Sequence, residues 1–131
     1  MAVLVDVKNN AGPSFPNAVE VVRATWDFAV DGGSVTFYDA LVADAGCIVS
    51  LRAAIVKTAV TSGGSLTLDL GKGSAGTEMI SNKAVASMTL NNITVGSAPV
   101  YLAAGEKISM NIEVAAATAG KIEFIFEVVK A

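Results

Sequence analysis

The chain has 131 residues, enough for one domain with a real hydrophobic core. Hydrophobic residues make up 53% and charged residues only 16%, against roughly a quarter in an ordinary globular domain, so little charge is left to solvate an isolated surface. Nine basic and twelve acidic side chains, scattered along the chain for a net charge of −3, form neither a basic stripe for phosphates nor an acidic tail, which argues against nucleic acid as a partner.

Histidine is absent and cysteine occurs once, at Cys47. Histidine carries most acid–base chemistry near neutral pH, and soft metal sites need clustered His or Cys; the sequence therefore specifies no catalytic centre, no such metal site and no cofactor. Cys47 has no partner for an intrachain disulfide. No run of about 18 apolar residues occurs, so no membrane-spanning helix is expected. Met1 to Asp6 lacks the basic and long apolar regions of a secretory signal, which predicts synthesis in the cytoplasm without export. The sequon Asn92-Ile93-Thr94 then has no secretory context in which to be used.

In chain order, residues 1–17 come first and differ from the rest. Asn9 to Asn17 gathers turn formers with Pro13 and Pro16, which cannot donate ladder hydrogen bonds, so the segment reads as an extended arm ahead of a sandwich domain over 18–131. Its apolar residues, Val3, Leu4, Val5 and Phe15, suit strand addition to another sheet; the same residues equally suit an ordinary edge strand of the chain's own domain.

From Val19 to Val30 a period of two places Val22, Ala24, Trp26, Phe28 and Val30 on one face, with Trp26 as a core anchor. Asp31-Gly32-Gly33-Ser34 turns the chain, and Ser34 to Leu41 resumes with Val35 and Phe37 inward, so residues 19–41 are expected to form a hairpin. After Asp44-Ala45-Gly46 a long strand alternates Cys47, Val49, Leu51, Ala53 and Ile55 with Ile48, Ser50, Arg52, Ala54 and Val56. Both faces are rather apolar, and the second face, with Ile48 and Val56, is expected to be covered by a neighbour. Thr61 to Gly64 turns into the strand Leu66-Leu68-Leu70, and Gly71 to Thr77 reads as a loop. Between Glu78 and Leu90 a helical turn or irregular loop followed by a strand is expected. A short strand near Val95, a second over Val100-Tyr101-Leu102, and two clear strands over Lys107 to Val114 and Lys121 to Val129 complete the chain, the last two separated by Thr118-Ala119-Gly120. About eight strands without helical crossovers specify an all-β, antiparallel, jelly-roll-like sandwich.

Four patterns invite a site reading. Gly71-Lys72-Gly73-Ser74-Ala75-Gly76 matches G-x-G-x-x-G after a strand, yet a dinucleotide fold needs a helix behind the glycines and an acid about 20 residues on, and no acid lies between Glu78 and Glu106. Asp27, Asp31, Asp39, Asp44 and Asp69 lack the local spacing of a calcium loop and read as solvated carboxylates. Glu113, Glu123 and Glu127 sit on the outward phase of regular strands rather than as a pair flanking a cleft. Tyr38 and Tyr101 are candidates for exposed aromatic contacts, with a glycan or with protein.

Leu68-Asp69-Leu70-Gly71 with its Gly/Ser/Ala loop, then Val100-Tyr101-Leu102-Ala103-Ala104-Gly105-Glu106-Lys107-Ile108, and Thr118-Ala119-Gly120-Lys121-Ile122-Glu123-Phe124 resemble the small jelly-roll head-decoration, or cement, proteins of tailed bacteriophages over roughly residues 47–131. The resemblance implies a non-enzymatic virion structural protein on the capsid surface, a homotrimer that clamps neighbouring subunits of the major capsid protein shell. Val3, Leu4, Val5, Phe15, Tyr38, Ile48, Val56 and Tyr101 are then the candidate capsid or subunit contacts. The alternative is a carbohydrate-binding sandwich module, or a fibre or tail receptor-binding domain, presenting Tyr38, Tyr101 and end-loop carboxylates to a glycan.

Overall fold

The computed structural model describes residues 19–96 and 98–131. The arm, with Val3, Leu4, Val5 and Phe15, lies outside the described residues. In chain order the elements are β1 (Val19–Asp27), α1 (Phe28–Asp31), β2 (Phe37–Val42), β3 (Cys47–Ser62), β4 (Thr67–Lys72), β5 (Ile80–Ala84), a 3₁₀ turn (Val85–Ser87), β6 (Ile93–Thr94), β7 (Val100–Leu102), β8 (Lys107–Glu113) and β9 (Ala117–Lys130).

Two antiparallel sheets face each other. One has the order β1-β9-β3-β6 with β7 also paired to β3, and the other has the order β2-β8-β4-β5. Early strands thus lie beside late ones, β1 on β9 and β2 on β8, and the chain changes sheet at each of these steps, as a ribbon of paired strands does when it wraps into a jelly roll. The predicted all-β sandwich is what forms, with nine strands among the described residues where about eight are expected.

The core follows the period of two wherever the strands are regular. Leu68 and Leu70 from β4, Ile108, Met110 and Ile112 from β8, and Ile122, Phe124, Phe126 and Val128 from β9 are all buried between the sheets. Trp26 is 4% exposed and its indole N–H donates to the Gly32 carbonyl at 2.9 Å, so the largest side chain is both packed and satisfied. Gly120, with φ of 142°, lies inside β9 rather than in a turn; a Cβ there would come within 2.9 Å of the Trp26 ring and of Val60. The turn between β8 and β9 falls instead at Val114, where Ala115 N–H reaches back to the Glu113 carbonyl at 2.9 Å. That i to i+2 bond forces φ of 74° on a β-branched residue, a strained choice, and leaves Val114 exposed rather than in a strand.

Several sequence expectations are corrected. Residues 19–41 do not form a hairpin: β1 pairs with β9 and β2 with β8, so the Asp31–Ser34 turn carries the chain from one sheet to the other. The Asp27 carboxylate caps the single turn of α1 by accepting from Ala29 N–H at 3.0 Å, which ends β1 early. Val35 and Phe37 point outward. In β3 a register shift between Leu51 and Ala53 inserts one residue, so the buried set runs Cys47, Val49, Leu51 and then Ala54, Val56. Val56 is therefore in the core, only 2% exposed, not on the outer face. Between Glu78 and Leu90 the order is reversed, with strand β5 first and the 3₁₀ turn after it. Asp69 is not solvated either: it is 3% exposed and accepts from the Asn82 N–H at 2.6 Å, filling the gap left where β5 bulges away from β4.

The G-x-G-x-x-G segment has a backbone explanation. Its loop folds back over the end of β4, so a Cβ on Gly71 would meet the Glu78 carboxylate and the backbone of Gly76 and Thr77, and one on Gly76 would meet the backbone of Lys72. Gly73 takes φ of 76°, and Lys72 N–H is received by Glu78 Oε1 at 2.9 Å. The glycines serve close chain crossing, and the next element is strand β5 rather than a helix.

Candidate functional site

The outer face of the five-stranded sheet collects the side chains that the core rejects. Val19, Val129, Ile48 and Tyr101 stand in one cross-strand row over β1, β9, β3 and β7, each register-matched to the next. Val19, Ile48 and Tyr101 are 53%, 40% and 54% exposed. With strands about 4.8 Å apart the row is about 15 Å wide. Tyr101 lies outward because Val100 and Leu102 on either side of it are buried, and its hydroxyl lies over Gly46, where a Cβ would be 3.0 Å away.

Behind this apolar row runs a belt of ion pairs. Arg52 meets Glu127, Arg23 meets Glu123 at 3.3 Å, and Lys57 reaches the same Glu123 at 3.9 Å. Solvent screens all three, so each contributes at most about 1 kcal/mol; their effect is to hold long side chains in place. Beyond the belt Ile55 pairs with Ile93, and Leu90, Ile93 and Val95 are exposed along the far edge.

The sheet edges differ in a way that matters for partners. The β3 edge is covered by β6 and β7 and by irregular backbone bonds such as Val56 N–H to Asn92 and Gly96 N–H to Leu51. In the other sheet, the β2 pairing is broken at Ala40 and the β5 pairing at Ser81 and Asn82. Among the described residues β1 is the long regular edge, nine residues in unbroken register with β9 and with no strand on its other side. Its alternate N–H and C=O groups make a ready template for another strand. Val19, where the arm joins, is also the corner of the apolar row.

Of the residues singled out from the sequence, Ile48 and Tyr101 are thus brought together as neighbours. Tyr38 stands on β2 of the other sheet, half-buried, its hydroxyl donating to the Ser34 carbonyl at 3.0 Å. Burial, then the Asp31 charge, pushes its phenol above the ordinary value. Tyr38 and Tyr101 therefore share no platform. The sequence reading missed Val19 and Val129, although the doublets Val21-Val22 and Val128-Val129 mark strands apolar on both phases.

The four-stranded sheet has a polar outer face. Lys107 Nζ donates to Asp39 at 2.9 Å and Ser109 Oγ to the same carboxylate at 3.1 Å. The Lys107 hydrogen bond, opposed by desolvation, holds the Asp39 carboxyl below its usual range. Glu113 is raised, first by its hydrogen bond with Asp69 and then by that neighbour's charge. No cluster of three metal-ligating residues occurs among the described residues. Cys47 is fully buried and burial pushes its thiol up, the opposite of an activated nucleophile. No described helix is long and apolar enough to cross a membrane.

No protein-family model and no curated protein sequence matches this chain. A solved structure does: a chain of the cyanophage Pam1 capsid asymmetric unit superposes with a TM-score of 0.64 over 92% of this chain and 91% of that one, at 17% identity. The two share the sandwich fold.

Proposed function

We propose that this chain is a non-enzymatic virion structural protein that binds the outside of a phage capsid and stabilises it as a homotrimer. The observation that carries the reading is the likeness to a capsid chain over nine-tenths of both proteins, with no large insertion on either side. The outer face of the five-stranded sheet supports it, since an apolar row beside a regular edge strand that has no partner among the described residues fits burial against neighbouring chains. In this reading residues 1–17 reach the shell and add main-chain hydrogen bonds to it. Binding only to the assembled shell shifts the equilibrium away from disassembly, without chemistry.

The test is cosedimentation of the full chain and of residues 18–131 with capsid shells of the virus that encodes it, alongside light scattering. The proposal expects a trimer that decorates shells, and a truncated chain that stays folded but no longer decorates. A monomer that does not bind shells contradicts it.

A further inference from the structure

A groove of about 430 Å³ opens on the outer face of the four-stranded sheet, within the size range of small-ligand sites. Phe37 and Asp39 on β2 line one side, the folded-back loop after β4 lines the other, and the turn before β8 closes one end. Phe37 is half exposed. At the floor Ser109 is only 2% exposed and donates to Asp39, which also receives Lys107. Lys72 pairs with Glu106 at 3.2 Å on the groove's rim. Gly73 and Gly105, with φ of 76° and 86°, leave open space where side chains would stand.

We propose that this groove binds a saccharide, with an apolar C–H face of the sugar on the Phe37 ring and its hydroxyls on the Asp39–Lys107 and Lys72–Glu106 pairs. The chemistry selects this class. Asp39 and Glu106 are paired with Lys107 and Lys72, so they offer donors beside acceptors, and Glu78, which also lines the groove and receives the Lys72 N–H, leaves it acidic on balance and unsuited to a phosphate. A neutral polyol, whose hydroxyls both give and take hydrogen bonds, matches such pairs, and an exposed ring supplies the flat apolar contact. The groove and the apolar row lie on opposite outer faces of the sandwich. A chain held to a shell by the five-stranded sheet would present the groove away from it, so both contacts can be made at once.

The full chain should be applied to an array of neutral and acidic oligosaccharides, and the responding saccharide titrated by amide NMR. Saturating shifts are expected at Phe37, Gly73 and Gly105. Affinity should fall roughly tenfold in Phe37→Ala, and also in Phe37→Leu, which keeps the apolar cover but removes the ring face; Val30→Ala, exposed on α1 outside the groove, should bind as before. Silence across the array, or binding that both Phe37 variants retain, overturns the proposal. Either result leaves the shell-binding reading standing, because that reading rests on the other face.

Discussion

The two outer faces of the sandwich are built from the same strand geometry and end in opposite surfaces. On the five-stranded sheet, Val19, Ile48 and Tyr101 stay in solvent and the ion pairs stand beside them. On the four-stranded sheet buried polar groups are satisfied within the chain, Asp69 by the Asn82 amide and Ser109 by Asp39, and a loop folds closely over Gly71. The four-stranded face is polar and closed by its own chain except at the groove beside Phe37, whereas the five-stranded face keeps an apolar row and, among the described residues, a strand edge with no partner. A sandwich of this size needs only one covered face to be stable alone, so the second can be given over to association.

The largest effect that would break this comparison is on association. Ile48→Lys combined with Tyr101→Lys places two charges in the apolar row and should weaken shell binding and self-association by at least about tenfold, measured by cosedimentation and light scattering. Thr67→Lys on the other outer face should leave both unchanged. Next come the devices that close the four-stranded face. Gly71→Ala overpacks the covering loop and Asp69→Ala strands the Asn82 amide; each should cost about 1–3 kcal/mol in chemical denaturation, while Asp69→Asn, which keeps the acceptor, should cost less. On the five-stranded face, Arg52→Ala should cost under about 1 kcal/mol, because that pair is solvent-screened.

The smallest effect concerns pH. Glu113 has a folded value raised above its ordinary 4.5, so its contribution to stability is present below that value and is lost as the pH rises through the raised folded value. Asp39 has a folded value lowered from 3.8, so its contribution is present above 3.8 and lost as the pH falls through the folded value. Thermal melts should therefore show Glu113→Gln gaining on the parent chain toward neutral pH. Asp39→Asn should lose to the parent toward neutral pH and draw level at acid pH.

Much of the fold was legible in the residues because a strand with one buried face writes its period plainly. Ile108-Met110-Ile112 and Ile122-Phe124-Phe126-Val128 read directly as core, and all are buried. What the period does not encode is partnership. The Asp31–Ser34 turn signal was real, yet the strands on either side belong to different sheets, since local turn chemistry is the same for a hairpin and for a crossing between layers. A bulge hides in the same way: one inserted residue in β3 moved Val56 from the outer face to the core. Asp69 looked solvated because the bulge that supplies its donor, at Asn82, is thirteen residues away in sequence. Ile48 and Tyr101 were legible as outward residues, but only the pairing of β3 with β7 makes them one surface.

Amide hydrogen exchange, compared between the free chain and the chain bound to shells, tests the central claim most directly. The outward-facing amides of β1 should exchange readily when free and become protected on the shell, along with the backbone near Ile48 and Tyr101, while the loop over Gly71 and the strand β2 stay as they were. Protection confined to the four-stranded sheet, with β1 unchanged, would contradict the account.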